Sequence, residues 1–240
     1  MQPVEIMRAT EEIAHLGAAF YFTPETVEVG KANGLGGFRF YFIGRGGVLG
    51  DVDADVVRSA FGYFNPDMVR KMWESSVAIM PPRDAARLYI SCAHDFGRRK
   101  FASVDGLDVF VDAATTVIGA VEGASLPLFA GVRAEPVPDD TPAAAMHQAM
   151  VLRELRGSVH LLALTAMGLN SSVAHAVKRP DDLKMFGYEE APALSDVDRT
   201  AWARAEALTD DILTPAYAAL TDTQAQALID GTNAMHAAMA

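Results

Sequence analysis

Three residues in one stretch of chain have the types and the spacing to hold an anion. Arg153 and His160 are seven residues apart, and at about 100° per residue they stand nearly in register on a helix over 142–168, with Arg156 flanking them. Gly157 lies between and leaves open space on that face. Most of the remaining circumference is apolar, with Leu152, Leu155, Val159 and Leu162 on one side and Met146, Met150 and Leu164 on others. Such a helix belongs in the interior, and a guanidinium carried there needs a counter-charge or a bound anion, because an unpaired buried charge is strongly disfavoured. Two readings follow. In one, Arg153, Arg156 and His160 meet Tyr21 and Arg45 in a pocket that holds the carboxylate or phosphate of a small ligand. In the other, the arginines pair with acids of neighbouring helices, such as Glu25 or Asp51, and His160 is a satisfied core histidine.

Other reactive groups offer less. His147 precedes His160 by thirteen residues and points about 140° away from it on the same helix. His15, His94, His175 and His236 show no ligand spacing such as His-x-x-x-His, so no metal site is expected and no cofactor is specified. Cys92 and His94, two residues apart, face different directions on a helix, which leaves Cys92 as a small buried hydrophobe. As the one cysteine, it excludes an intramolecular disulfide. Gly34-Leu35-Gly36-Gly37 and Gly44-Arg45-Gly46-Gly47 lack the order of a phosphate loop and read as tight interhelical turns, with Arg45 alone able to reach an anion. The aromatic cluster from Phe20 to Phe64 is mostly core, with the hydroxyls of Tyr21 and Tyr41 available to a ligand cavity.

The elements that must position these groups are helical. Thr23-Pro24, Asn65-Pro66 and Thr141-Pro142 each place a capping residue before a proline at the first helical position. Ser195 with Asp198, and Thr221 with Gln224, read as capping boxes, and Asn33-Gly34 as a helix stop. Helices are predicted at about 3–17, 24–33, 36–45, 53–62, 66–75, 82–104, 107–121, 142–168, 170–177, 195–213 and 222–238. Phe38 to Ile43 and Leu107 to Val111 carry weak strand signals; a short buried helix is favoured for the first, so the fold class is all-α with at most a minor β-ribbon. Leu126 to Asp140 is proline-rich with little periodicity. It reads as an ordered connector (126–140) between an N-terminal half (1–125) and a C-terminal half (141–240). The halves share a pattern of helix, glycine turn, helix and proline-initiated helix: Phe42 to Gly50 leading to Asn65-Pro66, and Leu162 to Asn170 leading to Arg179-Pro180.

Composition bounds the partners. The 240 residues are 50% apolar and 21% charged, enough apolar content for a sizeable core and too little charge for disorder. No segment approaches the length of a membrane span, and the N-terminal residues do not form a secretory signal, so a cytoplasmic location is expected. The net charge of −11 repels polyphosphate. Arg98-Arg99-Lys100 and Lys178-Arg179 are basic clusters that acids follow; residues 191–240 hold seven acids against two basic side chains. A DNA reader carries a basic stripe on its recognition element, and none is evident.

Met146-His147 through Leu152-Arg153-Glu154-Leu155-Arg156-Gly157-Ser158-Val159-His160, continuing to Gly168-Leu169, resembles a motif of the actinobacterial SalK-type helix-turn-helix family. Tyr21-Phe22-Thr23-Pro24-Glu25 and Gly44-Arg45-Gly46-Gly47-Val48-Leu49-Gly50 resemble two further stretches of it. The resemblance implies a helical fold with winged-helix-like units and a label of transcriptional control, which is a fold-level analogy. Leu155 stands where that family has a second histidine, Ser158-Val159 replaces its Asp-Gly pair, and the region after residue 178 is short for a wing.

The expected protein is a sensor-like binder of a small anionic or aromatic ligand, with its pocket between the halves and without strong DNA binding of its own. The alternatives are a DNA-binding regulator acting as a homodimer, and an enzyme using His160 as general base beside an arginine clamp.

Overall fold

The computed structural model describes residues 1–239. They form thirteen α-helices: α1 (Pro3–Ala9), α2 (Ile13–Leu16), α3 (Pro24–Ala32), α4 (Phe38–Gly46), α5 (Ala54–Phe61), α6 (Pro66–Val77), α7 (Pro82–Lys100), α8 (Leu107–Gly119), α9 (Pro127–Arg133), α10 (Thr141–Ala166), α11 (Ser171–Lys178), α12 (Asp196–Tyr217) and α13 (Asp222–Ala237). Short 3₁₀ turns lie at Gly47–Leu49 and Pro180–Asp182. There is no strand among the described residues, and the fold is all-α. No described helix is long and apolar enough to cross a membrane.

The caps explain most of the boundaries. Asn65 Oδ1 accepts from Asp67 N at 2.9 Å to start α6, Asn170 Oδ1 accepts from Val173 N at 2.9 Å to start α11, and Ser195–Asp198 and Thr221–Gln224 both close reciprocal capping boxes. At α10 the cap is one residue earlier than the Thr141-Pro142 pattern predicts: Asp140 accepts from Ala143 N, and Pro142 falls within the first turn, where its missing N–H costs nothing. Phe38–Ile43 is helical, entered through Gly37 at φ +65°, a left-handed value that a glycine adopts without strain.

Two expectations are corrected in detail. The helix predicted over 3–17 breaks at Thr10, whose hydroxyl donates back to Ile6 O at 2.8 Å, and resumes as α2. The connector contains a helix, α9, which buries Leu128, Phe129 and Val132 behind an N-terminal proline.

At the centre lies α10, packed by α2, α7, α8, α9 and α12. Gly17, at the end of α2, makes one of these approaches possible: a Cβ there would lie 2.5 Å from Ala149 O and 2.8 Å from Arg153 Cβ. The N-terminal segment is thereby laid directly over the arginine face of α10.

The turn between α10 and α11 is a Schellman motif. Leu169 N donates to Leu164 O at 3.0 Å across Gly168, whose φ is +71°. The two helical units compared in the sequence diverge at their third element. Pro66 opens a twelve-residue helix, whereas Pro180 opens a single 3₁₀ turn. Asn65 caps the former with its side chain, and Arg179, in the matching place, has no acceptor to offer.

Candidate functional site

The face of α10 that carries Arg153, Arg156 and His160 meets two different carboxylates, and this divides the expected pocket in two. The first is Glu154, itself on α10 and only 1% exposed. Arg45 of α4 grips it with Nε and Nη2, both at 2.8 Å. Arg153 Nη1 donates to its Oε1 at 2.6 Å, and the Tyr21 hydroxyl donates to the same oxygen at 3.2 Å. Arg153 also lies over the Tyr21 ring at 4.9 Å and Arg45 over Phe61 at 4.5 Å, contacts that favour a desolvated guanidinium. Burial alone would push the Glu154 carboxyl up, but Arg45, Arg153 and the hydrogen bonds outweigh it and hold it down at about 2. Burial pushes the Tyr21 hydroxyl well above its ordinary range, so it stays protonated and remains a donor. One buried carboxylate thus serves two half-buried guanidiniums, and a unit of positive charge is left over beside it.

The second carboxylate is Glu206 of α12. Its Oε2 accepts from Arg156 Nη2 at 2.6 Å; its Oε1 lies 3.5 Å from His160 Nε2 and 3.7 Å from Lys178 Nζ of α11. Thr209 Oγ1 meets His160 Nδ1 at 2.9 Å. Tyr63 stacks on the imidazole and Trp202 abuts it edge-on, each with centroids 6.4 Å away. Burial pushes His160 down to about 4, with Arg156 and Lys178 acting in the same direction and Glu206 against them. The same two cations and His160 hold the Glu206 carboxyl below its ordinary range against the opposing effect of burial.

A cleft of about 150 Å³ runs beside both arginines, walled by α1 and α2 on one side and α10 and α12 on the other. Arg153, Arg156, Glu206, Asp210 and Tyr217 line it, and Arg8 and Glu11 stand exposed around it. Tyr21, Arg45 and His160 lie outside its lining: the first two sit behind Arg153 at Glu154, and His160 sits behind Glu206. The partners of the arginines are Glu154 and Glu206 rather than Glu25 or Asp51; Glu25 lies 3.7 Å from Arg99 instead. A second cleft, of about 400 Å³, separates Arg58 and Phe64 from Leu161, Asn170 and Tyr188 and contains none of the expected residues.

Sequence reasoning missed Glu154, Glu206, Trp202 and Thr209. A signal for the last three existed. Trp202, Glu206, Thr209 and Leu213 recur at the spacing of one helical face, so that face places a carboxylate and a hydroxyl inward. His147 also has a partner that was not foreseen: His94 Nε2 lies 3.1 Å from its Nδ1, across from α7. Burial, and then His94, push His147 down to about 4. Cys92 is buried, and burial pushes its thiol up to about 11, which suits a packing role. Among the described residues no three His, Cys, Asp or Glu side chains are grouped to hold a metal ion.

A sequence profile described as a helix-turn-helix family matches residues 6–197, about four-fifths of the chain. No curated protein and no solved structure matches it.

Proposed function

The chain belongs to a helix-turn-helix family, and on that premise we propose that it is a small-molecule-binding, sensor-like member that takes a small aromatic carboxylate in the cleft beside Arg153 and Arg156. The observation that carries this reading is the charge count at Glu154. Two half-buried guanidiniums share that one buried carboxylate, and the more exposed of them, Arg153, forms part of the cleft wall. A volume of about 150 Å³ suits one benzene-sized ring. The finer kinship to the SalK-type actinobacterial branch, carried by the motifs around Tyr21, Arg45 and Arg153, belongs to this proposal, as does action in the cytoplasm.

Calorimetric titration of benzoate against benzamide, its uncharged counterpart, tests the reading. Benzoate binds, benzamide does not, and Arg153→Met weakens benzoate at least tenfold while the protein stays folded. Equal titration of both compounds, or of neither, overturns it.

Family membership itself favours a second reading, a DNA-binding regulator working as a homodimer that brings basic edges together. Against it, the cations at the end of α11 are engaged within the chain. Lys178 lies 3.7 Å from Glu206 and over the Trp202 ring, and Arg179 lies 3.9 Å from Asp182. Retardation of DNA at low salt, abolished in a Lys178→Ala, Arg179→Ala double variant, supports the regulator instead.

A further inference from the structure

We infer that the cleft selects a hydroxylated aromatic carboxylate, whose carboxylate meets Arg153 and whose hydroxyl is taken by Glu206 with His160 behind it. This inference rests on the ligand-binding reading above and narrows its ligand class.

The hydrogen-bond inventory at His160 carries the argument. A threonine hydroxyl has one hydrogen, and Thr209 donates it to Ala205 O at 2.7 Å. The 2.9 Å contact between Thr209 Oγ1 and His160 Nδ1 therefore runs the other way, with Nδ1–H donating. A neutral imidazole carries one N–H, so Nε2 is a bare acceptor. It is enclosed, has no hydrogen-bond partner, and looks onto Glu206 Oε1, which is also enclosed and also without one. Lys178 Nζ at 3.7 Å is beyond hydrogen-bond reach of that oxygen, and the indole N–H of Trp202, one helical turn before Glu206, is buried without an acceptor. The group has acceptors facing each other and an idle donor beside them. Of these groups Glu206 alone reaches the cleft, and an O–H presented from the cleft donates to its unpartnered oxygen.

Glu206 belongs both to this group and to the cleft wall, and a turn about its last torsion, with Arg156 moving along with Oε2, would present Oε1 to the cleft. Arg153 and Glu206 both line the cleft, one on α10 and the other on α12. A carboxylate and a hydroxyl at opposite ends of one ring can therefore address the two walls at once, each through a hydrogen bond of roughly 2.8 Å. A ligand ammonium is disfavoured at the same place, since Lys178 and Arg156 already flank Glu206. A site built around a hydroxyl discriminates strongly against the analogue that lacks it, because its polar groups are then left unpaired.

The test compares 4-hydroxybenzoate with 4-methylbenzoate, close in size, and with benzoate by calorimetric titration. In the wild type 4-hydroxybenzoate binds at least tenfold tighter than 4-methylbenzoate, and in Glu206→Met the ratio falls to about one. If the three compounds bind equally to the wild type and all weaken in Arg153→Met, the hydroxyl inference is overturned and the ligand-binding reading stands. A hydroxyl preference that survives Glu206→Met also overturns the inference. If none of the three binds, the ligand-binding reading fails and takes this inference with it. The wild-type comparison decides the matter even where Glu206→Met does not fold.

Discussion

Arg45 reaches from α4 to Glu154 on α10 and holds both carboxylate oxygens at 2.8 Å, joining residues 109 positions apart through a contact almost sealed from solvent. Removing the carboxylate leaves two half-buried guanidiniums without a counter-charge. Glu154→Ala is therefore expected to lose about 3–5 kcal/mol of stability, in the range for breaking a buried pair by deleting one partner. Arg45→Met leaves Arg153 to neutralise Glu154 and costs less. Urea unfolding of the two variants checks the order, and equal losses contradict it.

Acid sensitivity is expected from Glu154 and from buried histidines, of which His160 and His147 are each held down at about 4. The Glu154 carboxyl sits at about 2 in the folded protein, below its ordinary 4.5, so its contribution is present above pH 4.5 and is lost as the pH falls towards 2. His147 is held down at about 4 from an ordinary 6.5, so the unfolded chain takes up its proton first and stability drains away between pH 6.5 and about 4. A shift of that size corresponds to roughly 3 kcal/mol at most. Unfolding midpoints measured across pH 4–7 are expected to slope upwards with pH, and His147→Phe to flatten that slope.

Gly17 is a packing contact that bears on the site. Its missing Cβ would strike backbone at Ala149 and Cβ of Arg153, neither of which can swing aside. Gly17→Ala is expected to cost about 1–3 kcal/mol by overpacking. Because it pushes α2 away from the arginine face, it also weakens benzoate binding. Thermal unfolding and titration of the same variant read the two effects separately.

Thr209 fixes the tautomer of His160. Thr209→Val keeps the shape and removes the acceptor of Nδ1–H, leaving a buried donor unpaired at a cost of about 1–3 kcal/mol. Nitrogen chemical shifts of the imidazole show the Nδ1–H form in the wild type and a mixture in the variant. A mixture in the wild type counts against the hydrogen-bond assignment at this histidine.

The all-α class and nearly every helix were written locally, in cap residues such as Asn65, Asn170 and Ser195 and in prolines at first turns. Capping and periodicity act over a few residues, so they are legible without knowing the fold. They misled where local signals were mixed: at Thr10, where one helix became two, at Pro127, where proline-rich sequence concealed α9, and at Thr141, where the cap fell to Asp140. The chemistry of α10 was half legible. That Arg153 and Arg156 needed counter-charges followed from the apolar residues around them, but which acids would supply them did not. Glu154 lies next to Arg153 in sequence, and its burial is set by Arg45, Tyr21 and the placing of α4. Glu206 lies fifty residues beyond Arg156 and reaches it only because α12 packs along α10. Charge pairing at long range depends on how helices dock, and docking is a property of the assembled core; the sequence therefore determined the helices and the demand for an anion, while tertiary packing alone decided that this demand would be met at two separate carboxylates with a cleft between α2 and α12.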